Sequence, residues 1–364
     1  MPITGACKYF AVALEHVGAA INCRRTHLVE LLKARKSAFE FRRSEAAAES
    51  YLAPNVFQVS LLARRMRDAV PARILDGRAV ASELRAQLLE RSSALRESGV
   101  HPRLVITLVG EDESSVAYVR NLVKTGERAG IAVDVSELPA AATASTVRSH
   151  LEVLARDAGV HGVLLQQPLP RHLSIREIAD AIPAHKDVDG THPTNQGHLA
   201  FGSGTTYVPA TPAAVMLLLE RSPHWPLRGR RAVMIGRSVV VGAPVAMLML
   251  AQHATVTILH RESGGLQPYL QLADVVVVAA GVPGLVRGED LKTGATVIDV
   301  GTTLVDGVLK GDVDFDSAVQ VAGAITPVPG GVGPVTNVAL LRNVVKAAER
   351  AQVVPSGKPK ANSS

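Results

Sequence analysis

The chain has 364 residues, 47% hydrophobic and 20% charged, with a formal net charge of +6. This composition is that of a globular protein with room for two cores, and it excludes a fibrous, disordered or low-complexity chain. Ten Lys/Arg against five Glu fall within residues 1–65, so the rest is nearly neutral and argues against a nucleic-acid partner, and no apolar run reaches the roughly 18 residues of a membrane helix.

Both cysteines, Cys7 and Cys23, lie in the same leading segment, so the body of the protein holds neither a disulfide nor a cysteine metal cluster. A reducing, cytoplasmic compartment is expected. In residues 1–70 charge interrupts every apolar stretch, against a secretory signal. Met66 is the expected natural start, with an over-extended reading frame upstream; the excess of arginine keeps an organellar presequence as the alternative, against which the Glu residues count.

From Ile74 the pattern alternates. Val80, Leu84, Leu88 and Leu95 at helical spacing predict a helix over 79–97, and the compact apolar run 103–109 predicts a strand. A second helix is expected over 114–129, with Ser114 or Ser115 as its cap and Gly130 as its stop. Then follow a strand at 133–138, a helix at 144–157 and a buried strand at 162–166. From Lys186 to Pro212 the chain is rich in Gly, Pro, Asn and Thr and reads as a crossing between domains. A helix at 213–221 precedes four Val/Ile-rich strands, at 232–236, 255–260, 274–280 and 296–300, the layout of a doubly wound dinucleotide-binding domain. A last helix is expected over 337–350, and residues 351–364 read as a disordered tail.

Five segments carry candidate chemistry. Strand 231–235 runs into Gly236-Arg237-Ser238-Val239-Val240-Val241-Gly242, either an ordinary strand–helix turn or one that brings backbone N–H groups and a helix N-terminus to a pyrophosphate. The next strand ends in His260-Arg261, without the acidic residue that bonds ribose hydroxyls in NAD sites. Arg261 and Arg237 therefore favour a 2′-phosphate and NADP, the alternative being that Arg261 is a solvated loop charge. Lys186-Asp187-Val188-Asp189-Gly190 reads as a charged turn, since no calcium-loop spacing of ligands follows and no metal is expected. Leu165-Gln166-Gln167-Pro168-Leu169-Pro170 puts Gln166 at the carboxyl end of a parallel strand, where open α/β sheets bind ligands, or where it satisfies loop backbone. Pro327-Val328-Pro329-Gly330-Gly331-Val332-Gly333-Pro334 is too dense in Gly and Pro for regular structure and is a linker or a shaped loop.

Together with Ser115-Val116-Ala117-Tyr118-Val119-Arg120-Asn121, these segments, in this order, resemble the methylenetetrahydrofolate dehydrogenase/methenyltetrahydrofolate cyclohydrolase family over about 74–349. The resemblance implies an α/β fold of two domains: a folate-binding catalytic domain over 71–207 with 327–350, and a Rossmann-like NADP domain over 208–326, the C-terminal helix returning to the first. It implies catalytic roles for Tyr118, Gln166 and Asp189, with Asp189 holding the pterin ring. It places Leu165, Gln167, Pro329, Gly330, Gly331, Val332 and Gly333 along the folate, and Gly236, Arg237, Ser238, Gly242, Arg261 and Thr302 along NADP. A homodimer, a small-molecule folate substrate, one-carbon metabolism and purine biosynthesis follow from the same resemblance.

Departures fall at Gln167, Ala210, Thr302-Thr303, Val335 and, above all, Leu122. The family has lysine four residues after the tyrosine, where it assists proton transfers around the methenyl carbon. At about 100° per residue Leu122 returns to the face of Tyr118, whereas Lys124 lies about 240° around the helix and cannot take its place. Loss of one positioned acid or base costs about 10² to 10⁴ in rate. Hydride transfer rests more on alignment of the two ligands. The expectation is NADP-dependent oxidation of 5,10-methylenetetrahydrofolate to the 5,10-methenyl form, with hydrolysis to 10-formyltetrahydrofolate weakened; the alternative is a folate- or nucleotide-binding paralogue without catalysis. A lysine at 122 is expected to fit, its stem covering the apolar surface left by leucine.

Overall fold

The computed structural model describes residues 72–202 and 207–353. The Met66 start, the leading segment and the tail beyond 353 lie outside the described residues.

The chain enters on a two-residue strand, β1 (Arg73–Ile74), followed by helix α1 (Gly77–Glu97), whose N-terminal N–H groups at Arg78 and Ala79 donate to the side chain of Asp76. Val80, Leu84, Leu88 and Leu95 are its buried stripe, as the spacing predicts. Next come β2 (Arg103–Val109), α2 (Glu113–Arg128), β3 (Ala132–Leu138), α3 (Ala144–Arg156) and β4 (Gly162–Leu165). The three strands form a parallel sheet in the order β3-β2-β4, so chain order reverses between β2 and β4. Strand β2 is central and covered on both faces, which is why Leu104 to Val109 are buried without alternation. Helix α2 is capped by Asp112, whose carboxylate accepts from Ser115 N at 2.8 Å. Where the spacing predicts a cap at Ser114 or Ser115, the carboxylate two residues before Ser114 caps the first turn instead.

Short helix α4 (Ile175–Ile178) leads to a stretch that differs from its expected irregularity. Residues Pro193–Phe201 form helix α5, with Pro193 in its first turn and His192 Nδ1 accepting from Thr194 N at 3.0 Å. Proline pre-sets a first helical turn, so the composition that suggested a crossing marks a helix start. Helix α6 (Ala210–Leu219) likewise begins earlier than expected, because Pro212 falls in its first turn.

The second sheet contains β5 (Arg231–Ile235), β6 (Thr255–Leu259), β7 (Val275–Val278), β8 (Thr296–Asp299) and β11 (Ala324–Ile325), all parallel, in the order β6-β5-β7-β8-β11-β1. The lead-in strand β1 therefore joins the edge of this sheet rather than the one built from the residues after it. Helices α7 (Gly242–Ala251), α8 (Gln267–Leu270) and α9 (Phe315–Ala318) accompany the strands. An antiparallel hairpin, β9 (Thr303–Val305) with β10 (Val308–Lys310), projects after β8. Its turn residues Asp306 and Gly307 have φ 52° and 75°, the two left-handed positions of a tight hairpin turn.

The last helix, α10 (Val332–Val353), begins inside the Pro/Gly run rather than after it. Pro334 sits in the first turn, where its missing N–H costs no helical bond. Val335, Leu341, Val344 and Ala348 are fully buried in the same core cluster as α1 and α6 residues, so the C-terminal helix returns to the first lobe. Arg91 and Glu349 add a bidentate tie at 2.8–3.0 Å; an exposed pair of this kind contributes about 1 kcal/mol or less.

Candidate active site

The reversal of chain order between β2 and β4 opens a crevice at their carboxyl ends, where open α/β sheets place ligands. Gln166 follows β4 directly, its N–H donating to Thr107 O at 2.9 Å. Its side-chain Nε2 donates to Gln167 O at 2.5 Å, and the Gln167–Pro168 peptide is cis. Ser115, in the first turn of α2, donates from Oγ to Asp112 Oδ1 at 2.9 Å and to Gln167 O at 3.4 Å. The start of α2 is thus pinned to the Gln166–Gln167 turn, and Tyr118 lies about one turn further on, half-buried.

The segment around Asp187 runs beside β4 as a fourth short strand, with Val163 N donating to Lys186 O at 2.9 Å and Val163 bridged in parallel to Asp187. That register carries Asp189 to the level of Leu165 and Gln166. The two acids of this turn differ in kind. Asp187 is buried and accepts from Thr191 N, Thr191 Oγ1, His192 N and Asn195 Nδ2 at 2.7–3.2 Å, so it holds the loop. Burial, with Asp187 adding to it, pushes the Asp189 carboxyl up to about 7, while the backbone N–H of Ala210 at the start of α6 favours its ionised form. Burial, then the Asp189 carboxylate, also holds the Tyr118 phenol well above its usual range. Asn343 of α10 braces the loop from beneath, donating to Val188 O at 2.8 Å and Val208 O at 2.9 Å. Tyr118, Gln166 and Asp189 thus border one crevice.

Two expectations need adjustment. Leu122 does share the face of Tyr118, but it is fully buried in the apolar cluster that also holds Leu88, Leu104 and Ile106. A lysine stem there would have no exposed apolar surface to cover; it would enter the core. Leu165 is buried with Val105 and Val147 in a separate cluster, so it contributes packing beneath the turn. Lys124 is exposed.

The run after β11 is a shaped loop. Its Val328–Pro329 peptide is cis and Gly330 has φ 112°. A Cβ on Gly77 would overlap the Gly331 carbonyl oxygen, and one on Gly331 would stand 2.6 Å from Pro327 O. The loop therefore packs glycine on glycine against the start of α1, and Arg78 lies beside Gly330, its Nε 3.3 Å from where a Cβ would be. Val332 is buried as α10 begins, while Gly333 is open.

In the second sheet the reversal falls between β5 and β7, and here the glycine turn follows β5. Gly236 has φ 114°, and a Cβ on it would overlap Ala279 O; a Cβ on Gly242 would overlap Gly236 O. Both positions are restricted to glycine by close backbone approach, leaving a bare cradle at the N-terminus of α7 that fits a dinucleotide pyrophosphate. Ser238, where a further glycine would be usual, accepts at Oγ from Val241 N and Gly242 N at 3.2 and 3.4 Å and so closes the turn itself. Arg237, Arg261 and Thr302 are exposed at neighbouring strand ends, with Arg261 Nε 3.0 Å from Glu262 Oε1. Asp299 and Asp312, buried at this same edge, were not singled out from the sequence. The signal available was an aspartate closing the short apolar run 295–298; Asp312, after Lys310-Gly311, closes no such run.

Two family models match the chain: tetrahydrofolate dehydrogenase/cyclohydrolase, catalytic domain, over residues 75–189, and its NAD(P)-binding domain over residues 209–352. The bifunctional protein FolD of Moorella thermoacetica is 47% identical over 282 residues, covering 77% of this chain and all of that one. The crystal structure of the bifunctional FolD enzyme of Campylobacter jejuni matches at TM-score 0.75 and 38% identity, over 77% of this chain and 99% of the other. The Trypanosoma brucei methylenetetrahydrofolate dehydrogenase-cyclohydrolase, complexed with NADP and an inhibitor, matches at 0.75 and 38%, over 78% and 99%. The two crevices, the two domain matches and relatives aligned over their whole length lead to one assignment: the chain belongs to the tetrahydrofolate dehydrogenase/cyclohydrolase family.

Proposed function

We propose that the protein is an NADP-dependent 5,10-methylenetetrahydrofolate dehydrogenase of one-carbon metabolism in which hydrolysis of the methenyl product is slow. The observation that carries this reading is the convergence of Tyr118, Gln166 and Asp189 on one crevice, beside a fully apolar position 122. The Asp189 carboxylate, when ionised, binds the amino-pyrimidine edge of the folate through two parallel hydrogen bonds. Gln166, fixed through its backbone, orients the one-carbon unit, and the 329–333 loop lines the folate. The Tyr118 phenol stays protonated across the neutral range and serves as a hydrogen-bond donor there.

The glycine cradle at 236 and 242 holds the pyrophosphate, and Arg237, Arg261 and Thr302 face the remaining cofactor groups. NADP, when bound, supplies the hydride acceptor. Alignment of the two ligands is what oxidation requires, and the chain retains the residues for it. Water addition needs a proton relay, and no amine stands on the Tyr118 face to provide one. A binding-only paralogue is not favoured, since the site acids and the glycine cradle are intact. Cytoplasmic location and a homodimer are part of the same proposal; the exposed Ile258 on edge strand β6 and the exposed Leu250 on α7 support pairing through the dinucleotide lobe. No helix among the described residues is long and apolar enough to cross a membrane.

The test is NADPH formation when the purified protein meets 5,10-methylenetetrahydrofolate and NADP. Formation that depends on Asp189 supports the reading, and its absence overturns it.

A further inference from the structure

Asp299 and Asp312 are buried carboxylates whose partners are backbone N–H groups rather than cations. Asp299 accepts from Gly301 N and Asp312 N on Oδ1 at 2.9 and 3.0 Å, and from Val313 N on Oδ2 at 2.9 Å. Asp312 Oδ2 accepts from Ala280 N at 2.6 Å and Gly281 N at 2.8 Å, while its Oδ1 has no hydrogen-bond partner. The packing is crossed: a Cβ on Gly301 would overlap Asp312, and a Cβ on Gly311 would overlap Asp299. Glycines 301 and 311 bracket the β9–β10 hairpin, so the pair closes its base.

Burying two uncompensated carboxylates is costly, and five charge-assisted N–H bonds offset that cost. What they gain is position. Residues 279–281 leave β7 at the chain reversal, and Ala279 O lies against Gly236, whose turn forms the opposite wall of the crevice. Held by Asp312, the 280–281 turn cannot move toward or away from that wall without breaking both bonds.

We propose that Asp312, its backbone anchored by Asp299, is a positioning residue for the dinucleotide: it fixes the 280–281 turn against the Gly236 turn and so sets the width of the cofactor crevice. This rests on the function proposed above. Asp312→Ala should weaken NADP binding at least about tenfold and tetrahydrofolate binding by less than about twofold, and Asp312→Asn, whose amide oxygen can accept the same two N–H groups, should recover most of the loss. A folded Asp312→Ala protein with unchanged NADP affinity, or with both ligands weakened equally, would overturn the proposal. Hydrogen exchange on the unmodified protein tests it without any variant. The amides of Ala280 and Gly281 should be protected before NADP is added and change little afterwards; free exchange that is quenched only by NADP would contradict a pre-set crevice. Unmodified protein that does not bind NADP at all would instead overturn the functional reading, while the exchange pattern still reports on the brace.

Discussion

The backbone N–H of Ala210 favours the ionised form of the Asp189 carboxyl, partly opposing the effect of burial, so this acid of the candidate folate crevice is coupled to the first residue of α6. That influence comes from the peptide N–H and not from the side chain at 210, which is buried.

A carboxyl raised to about 7 is half protonated at neutral pH, and only its ionised form can pair with the pyrimidine edge. Tetrahydrofolate affinity should therefore rise as pH increases through about 7, and Asp189→Asn should bind at least about tenfold more weakly at pH 8 with little pH dependence. Titrating binding from pH 6 to 8 in both proteins checks this. The same shift has a stability sign. Folding raises the Asp189 pKa from 3.8, so the protein loses stability as pH climbs from about 4 to 7, and Asp189→Asn should melt higher than the parent above pH 7.

Leu122→Lys should raise methenyl hydrolysis at least about tenfold while changing the dehydrogenase less, because only water addition relies on a local proton relay. Since the position is fully buried, the gain should come with a loss of stability of about 2–4 kcal/mol. Rate and melting temperature measured on one preparation separate the two effects.

Arg261→Asp should flatten or reverse the preference for NADP over NAD, as a carboxylate repels a 2′-phosphate and can bond a free ribose hydroxyl. The mutation also removes the cation next to Glu262, an exposed pair whose loss should leave stability nearly unchanged. Comparing the two dissociation constants in parent and variant decides whether Arg261 contacts the phosphate.

Gly236→Ala should abolish measurable cofactor binding and lower the melting temperature, because φ 114° strains an alanine and its Cβ overlaps Ala279 O. Calorimetric titration with NADP, alongside tetrahydrofolate as an internal control, reads the first effect selectively.

The sheets were legible because fully buried parallel strands are short unbroken Val/Ile runs, and Arg103–Val109 falls where its apolar run predicts. Sequence and structure part where proline starts a helix rather than stopping one. Pro193, Pro212 and Pro334 each occupy a first helical turn, although the Gly/Pro content around each reads as loop. The Asp306-Gly307 hairpin signal was present but too short to stand out between longer elements. The pairing of β1 with β11 joins residues about 250 apart, which no local pattern encodes. In the candidate site, the roles of Tyr118, Gln166 and Asp189 follow from the resemblance to the family and not from spacing alone, whereas Asn343, Asp299 and Asp312 act through backbone contacts that become visible only once the chain is folded.

Hydride transfer and water addition are successive reactions that place different demands on position 122. The most direct measurement follows NADPH and the methenyl intermediate together after the purified protein is mixed with 5,10-methylenetetrahydrofolate and NADP. A catalyst with intact alignment and no amine at position 122 should release NADPH while methenyltetrahydrofolate accumulates, with hydrolysis little faster than in buffer. NADPH appearing without any accumulation of the methenyl form, because water is added as fast as hydride leaves, would contradict the account.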